Sequence, residues 1–329
     1  MSFFKSRRFL LSSLMVAMGL SVPLAPAWAQ PFPSKPVRIV IGFPPGGGID
    51  IVARTIAPKL SEALGQPVII DNKPGVAGVL GTNLVAKAPA DGHTIFFGTT
   101  GNISINPVFM PNLPFNMDKD FTPLMLVASL PFLVYAHPSV PVKSLSELVA
   151  YAKANPGKIN FYSSGNGGLP HLTGELLNNV AGIQTVHIAY KGSAPGMNDL
   201  IGGQVQLGYD TVAIGLQHIK TGRLRALATT GPKRLAILPD VPSTSEFAPG
   251  LEAVNWYGMV VPAGTPREAI ARLNREITKV LEMPDIKEKL VSQGIDPAAN
   301  SPEEFGEFMK SEAAKWARVI RAANIKPDS

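Results

Sequence analysis

The sequence predicts an α/β protein built as two lobes, and three observations carry the prediction. Runs of β-branched residues alternate with segments of helical period along most of the chain. Two of the strand-to-helix junctions are glycine turns of similar make, at 46–48 and 164–168. The 329 residues are enough for two lobes with cores of their own.

The first unit is the clearest. Val37, Ile39, Val40 and Ile41 make a strand that stops at Gly42, and a Pro/Gly loop follows. Ile49, Val52, Ala53, Ile56, Ala57, Leu60 and Leu64 then recur at helical spacing. Pro58 inside this helix removes a backbone hydrogen bond and predicts a kink. A strand at 67–70, a loop at 71–75, a helix near 78–88, a strand at 93–97 and a polar loop at 98–102 come next. Residues 124–136 read as apolar and extended, with prolines at 123, 131 and 138. Ser144 opens a helix over 145–154, and Glu147 completes a capping box. The second half repeats the outline. A strand at 158–163 runs into the glycine turn, and Pro170 sits in the first turn of a helix over 170–180. Strands are expected at 185–190, 204–210 and 224–230, then helices at 269–281, 285–293 and 301–324. Alternation of this kind implies largely parallel sheets, and the paired glycine turns imply two lobes rather than one large sheet.

Gly46, Gly47 and Gly48 leave backbone N–H groups bare at the positive end of a helix dipole, where a phosphate or carboxylate binds. Ligands of α/β sheets lie beyond the carboxyl ends of the strands, so both glycine turns face one cleft. His171, in the first turn of the second-lobe helix, either donates to such an anion or is an ordinary helix-start histidine.

Rival chemistries fail on particular residues. Gly46-x-Gly48 followed by Asp71 imitates a dinucleotide fingerprint, but Ile51 stands where the third glycine belongs. Ser193 lies in no GxSxG elbow, and Gly157-Lys158 runs into Ile159 instead of closing a phosphate loop. Histidines 93, 137, 171, 187 and 218 form no HxxxH or HExxH pair, and cysteine is absent. No cofactor, metal or catalytic set is therefore expected. The competing class is an exported oxidoreductase or hydrolase using the same anion site, and no nucleophile or complete cofactor motif supports it.

Lys5, Arg7 and Arg8, an apolar stretch over 9–20 and Ala27-Trp28-Ala29 read as a secretory signal cleaved after Ala29. The stretch is too short to span a bilayer, and residues 6–11 also resemble a twin-arginine signal, which leaves the export route open. Cleavage leaves 300 residues and takes the formal charge from +6 to +3. No basic run suited to nucleic acid remains.

The blocks PSKPVRIV at 33–40, FPPGGGID at 43–50 and AYKGSAP at 189–195 resemble the Bug proteins. These TctC-like proteins are the extracytoplasmic solute receptors of tripartite tricarboxylate transporters. GRLRALA at 222–228, LPDVP at 238–242, WYG at 256–258 and PAGTP at 262–266 extend the match across nearly all of the mature chain. The resemblance implies a periplasmic-binding-protein fold of type II-like design and a periplasmic monomer that serves membrane permease subunits. Its lobes would close on a small carboxylate held by backbone amides and bridging waters. Residue by residue it implies a site from Phe43, Gly46, Gly47, Gly48, Ile49, Asp50, Thr99, Thr100, Asn102, Ser163, Ser164, Gly165, Gly167, His171, Tyr190, Lys191, Gly192 and Asp210. Lobe 1 would comprise 30–131 and 254–329, lobe 2 would comprise 132–253, and the hinge would lie near Pro131 and Ala253.

The family usually has threonine where Ile49 stands, so one hydroxyl donor is lost beside the first glycine turn. Phe43 and Ile49 flanking that turn favour an aromatic or medium-chain dicarboxylate, such as a benzene dicarboxylate, over citrate or an amino acid. Asp50 would repel a carboxylate and reads first as a helix-start residue satisfying backbone donors. Lys191 is a counter-charge or a solvated turn lysine, with the balance toward the latter. Asp210 is placed to hold a ligand hydroxyl, an amine or a water. Trp256 and Tyr257 read as core of the crossover region.

Overall fold

The computed structural model describes residues 32–190 and 192–327. The signal segment with its cleavage site, and Lys191, lie outside them.

Strand β1 (Val37–Ile41) has four of its five residues, Val37, Ile39, Val40 and Ile41, wholly buried, as a strand covered on both faces requires. After it comes helix α1 (Gly48–Leu64), which buries Val52, Ala53, Ile56 and Leu60 and ends at left-handed Gly65. The helix is continuous through Pro58, whose ring is exposed. The carbonyl of Arg54 that Pro58 leaves without an N–H partner therefore sits on the water side, so the expected interruption does not break the helix. Then follow β2 (Val68–Asn72), α2 (Val79–Ala86) and β3 (Thr94–Thr99). Both β2 and β3 pair with β1 in parallel.

The long strand β4 (Phe121–Ala136) is the spine of the molecule. Helix α3 (Leu145–Ala154), β5 (Asn160–Ser163), α4 (Leu169–Ala181), β6 (Val186–Ala189), α5 (Ser193–Ile201), β7 (Leu207–Thr211), α6 (Val212–Lys220) and β8 (Arg225–Thr229) follow it. Strand β9 (Val254–Pro262), α7 (Arg267–Glu282), α8 (Pro284–Val291), the two-residue β10 (Asp296–Pro297) and α9 (Pro302–Ala322) complete the chain. Strand order is β2-β1-β3-β9-β4-β7-β5-β6, with β8 and β10 also on β4. Up to Pro131, β4 pairs with β9; from Phe132 onward it pairs with β7 and β8.

Two expectations are corrected here. The strands form one hydrogen-bonded path rather than two separate sheets, because β4 runs through both halves. The sheet is mixed rather than largely parallel: β5 pairs in parallel with β6 and β7, but every partner of β4 and β9 is antiparallel.

Three further differences have local causes. Ser144 accepts from the Glu147 N–H at 3.2 Å, but the Glu147 carboxylate accepts from Lys143 N–H rather than closing the box on Ser144. Full capping boxes occur instead at Ser243/Glu246 and Ser301/Glu304. Helices α5 and α6, which the sequence reading passes over, contain Gly196 and Gly215. A Cβ at either would come within 2.2 Å of the Tyr162 or Tyr135 ring, so these glycines serve ring-on-helix packing, not turns.

Helix α9 ties the two halves together. Phe305 and Met309 pack beside Trp256, whereas Trp316, Val319 and Ile320 join the core of the second half. Between them Glu312 Oε2 accepts from the indole N–H groups of Trp256 and Trp316, each at 3.1 Å.

Candidate functional site

A cleft of about 950 Å³ opens where β4 passes from one half to the other, with Leu130 and Phe132 in its floor. Phe43, Gly47, Gly48, Thr99 and Asn102 line it from the first half. Ser164, Gly165, Gly167 and Asp210 line it from the second. These nine are the expected site residues that the fold brings together. Around them four helices begin: α1 after Gly47, α4 after Gly168, α5 after Gly192 and α6 after Thr211, none capped by a side chain. First-turn N–H groups of such helices have no intrahelical partner and present a positive dipole end. No lysine, arginine or histidine lines the cleft among the described residues. The arrangement can hold anions by backbone amides and small side-chain donors.

The other expected residues stand behind this lining. Asp50 is 2 % exposed and braces the first loop: it accepts from Gly46 N–H, Arg54 Nε and Asn72 Nδ2 at 2.9, 2.9 and 3.0 Å. Burial alone would raise its pKa, but those hydrogen bonds outweigh burial and hold the carboxyl below its ordinary value. That agrees with its reading as a helix-start residue. Gly46 is the left-handed residue of the loop (φ 89°) and spends its N–H on Asp50, so it does not face the cleft. Ile49 is corrected as an apolar wall: it is buried in the first-half core, and Ile51 and Phe109 line the cleft instead. Helical periodicity turns Ile49 inward while Ile51 points out. Residues 98–102, expected as a polar loop, are the end of β3 and the start of a helical turn over Gly101–Ile105; Thr100 between them is buried and accepts from Trp256 N–H at 2.9 Å, which fastens the junction to β9.

His171 is corrected as an anion donor. Its Nδ1 accepts from the Gly167 N–H at 3.1 Å, and its ring stacks on His187 with centroids 3.6 Å apart. Ser163 Oγ lies 2.6 Å from His187 Nε2 and also bonds Gly165, so both histidines brace the second glycine turn from behind. Tyr190 donates its hydroxyl to Asp199 at 2.7 Å, and the Gly192 N–H donates to the Ser164 carbonyl at 3.1 Å; neither faces the cleft. Asp210 does face it. Thr211 N–H donates to Oδ1 at 2.8 Å, Tyr162 donates its hydroxyl to Oδ2 at 3.2 Å, and the Ser193 hydroxyl bonds the same carboxyl. Burial raises the Asp210 pKa against the pull of these donors.

The sequence reading missed the α5 and α6 starts (Ser193, Thr211, Val212, Ala213), Tyr257 and the 292–295 loop as cleft-lining groups. Tyr257 is both core and wall: it is 5 % exposed, and its hydroxyl lies 2.6 Å from where a Cβ on Gly48 would be. Gly48 is not left-handed; glycine is required there because of that close approach.

Burial depresses the His187 pKa from 6.5 to about 4. The unfolded chain therefore takes up a proton between those values that the folded chain refuses. Stability contributed by neutral His187 is complete above about pH 6.5 and is lost as pH falls toward 4. The expected loss is about 1–2 kcal/mol, discounted because the ring is part-exposed. Urea midpoints at intervals from pH 7 to pH 4.5 should fall less steeply for His187→Asn than for the parent chain.

The family model described as "Tripartite tricarboxylate transporter family receptor" matches residues 52–325. This chain belongs to that family. It is 40 % identical to the "UPF0065 protein in tcbD-tcbE intergenic region" of Pseudomonas sp. strain P51, over 95 % of this chain and 94 % of that one. The structure of Rpa4515 from R. palustris with adipate is similar at 34 % identity and a TM-score of 0.78, over 90 % of this chain and 100 % of that one. MatC from Rhodopseudomonas palustris with bound malate is 30 % identical with a TM-score of 0.73, over 88 % and 100 %. The receptor thus has the two-lobe periplasmic-binding-protein fold and is a solute-binding protein, not an enzyme. Receptors of this family are periplasmic and work with the membrane subunits of a transporter. No helix among the described residues is long and apolar enough to cross a membrane.

Proposed function

We propose that the receptor captures a small dicarboxylate with a hydrocarbon body. The carrying observation is that uncapped helix starts from both halves meet in a cleft walled by Phe43, Ile51, Phe109, Leu130, Phe132 and Leu169, with no cationic side chain among the described lining residues. Backbone amides answer the carboxylates, and apolar walls answer the body between them. The adipate and malate in the two related structures fit a dicarboxylate reading. Medium-chain or aromatic dicarboxylates, benzene dicarboxylates among them, are the favoured ligands. Phe43, Gly47, Gly48, Thr99, Asn102, Ser164, Gly165, Gly167 and Asp210 are the proposed contacts. Calorimetry should give tighter binding for adipate or a benzene dicarboxylate than for succinate, citrate or glutamate. Tight citrate or glutamate binding with no response to the longer or aromatic acids would sink the reading.

The proposed cycle is hinge closure of a periplasmic monomer released by cleavage after Ala29. The lobes would be 30–131 with 254–329, and 132–253, turning about Pro131 and Ala253. The exchange of β4 partners after Pro131 and the start of β9 at Val254 support that hinge. Small-angle scattering at saturating adipate should show a smaller radius of gyration than the ligand-free protein. An unchanged radius would refute closure.

A further inference from the structure

The cleft already contains a buried carboxylate of its own, that of Asp210. Asp210 is 5 % exposed and lies where α5 and α6 begin, beside Ser193 and Thr211. Three donors converge on it, from Thr211 N–H, the Tyr162 hydroxyl and the Ser193 hydroxyl, and each favours its charged form against the burial that raises its pKa. The α1 and α4 starts carry no such resident acid in the cleft, because the carboxylate nearest α1, Asp50, is turned into the loop behind it.

From this placement we propose that Asp210 is the specificity-determining residue that limits the ligand to two carboxylates. Asp210 occupies the anion position of the second pair of helix starts and leaves the first pair, α1 and α4, for the ligand. A third ligand carboxylate would meet Asp210 with no lysine, arginine or histidine among the described residues that line the cleft to offset the repulsion. A hydroxyl in the same place is accepted, since it donates to the carboxylate. This deepens the dicarboxylate reading above and rests on it.

The test compares three acids on one carbon skeleton at about pH 8, where all are fully ionised: glutarate, 3-hydroxyglutarate and tricarballylate, which is glutarate with a third carboxylate. The wild-type receptor should bind glutarate and 3-hydroxyglutarate alike and tricarballylate at least about tenfold more weakly. The hydroxy acid controls for bulk. Asp210→Asn keeps the Oδ1 acceptor for Thr211 N–H and sets an NH2 opposite the Tyr162 hydroxyl, which turns to accept, and it should narrow the glutarate-to-tricarballylate ratio by about tenfold. Equal wild-type affinity for tricarballylate and glutarate overturns the proposal, as does a ratio unchanged in a folded Asp210→Asn protein. Equal rejection of the hydroxy acid and the tricarboxylate would make bulk the cause and overturns it too. If no dicarboxylate binds the wild type, the dicarboxylate reading itself fails and this inference with it. Should Asp210→Asn not fold, the wild-type three-ligand comparison still decides.

Discussion

Gly48→Val should weaken dicarboxylate binding by about 1–3 kcal/mol, roughly 5- to 150-fold in Kd, beside a stability cost of similar size from the overpacked Tyr257. Gly48 is the first residue of α1, and a Cβ there would sit 2.6 Å from the Tyr257 hydroxyl. Tyr257 is buried on β9 beside the crossing, so it cannot swing away without disturbing the floor of the cleft. A valine also covers the N–H groups that an anion would approach. Backbone strain contributes nothing, because the left-handed glycine of this loop is Gly46. Gly48→Ala combined with Tyr257→Phe separates the two causes. Removing the hydroxyl leaves the ring carbon at 3.7 Å as the nearest contact, so affinity should return toward the parent value if the clash dominates. Calorimetry alongside urea denaturation reads both effects, and unchanged affinity in folded Gly48→Val would place the ligand elsewhere.

Glu312→Ala should be the more damaging change to stability, by about 3 kcal/mol or more. One buried carboxylate oxygen accepts from two buried tryptophans, and Lys315 pairs with the other oxygen of the same group. Alanine orphans both indole donors and a part-buried ammonium, and an unsatisfied buried donor costs about 1–3 kcal/mol. Glu312→Gln retains an acceptor oxygen and should lose roughly half as much. Because Trp256 sits with the first half and Trp316 with the second, the loss should also loosen the coupling of the halves. Two resolved transitions in tryptophan fluorescence and far-UV circular dichroism would report that loosening. A single transition at the parent midpoint would rule out this role for Glu312.

The family assignment was legible because its motifs are strung in order along the chain, and the first glycine turn was legible because the β1 run, the loop and the α1 periodicity are local. The second turn was legible for the same reason. Local patterning cannot, however, tell a glycine that makes a turn from one that lies under an aromatic ring. Gly196 and Gly215 are of the second kind, and so α5 and α6, with the helix starts they bring to the cleft, went unread. Nor does spacing reveal which side of a loop a side chain takes. His171 and Ile49 directly follow the cleft-lining residues Pro170 and Gly48, and both face inward because His187 and the first-half core offer them partners.

The sequence by itself determined the α/β class, the family, the two glycine turns at strand-to-helix junctions and the absence of cysteine chemistry, since each depends on residues near one another in the chain. Only the tertiary structure decided that β4 serves both halves, that α9 straps them, and that Asp210 shares the cleft with the helix starts. Those facts join residues far apart in sequence, as Trp256 is joined to Glu312 and Asp210 to Tyr162. Such pairings are set by packing and by the need of buried polar groups for partners, which no local pattern encodes.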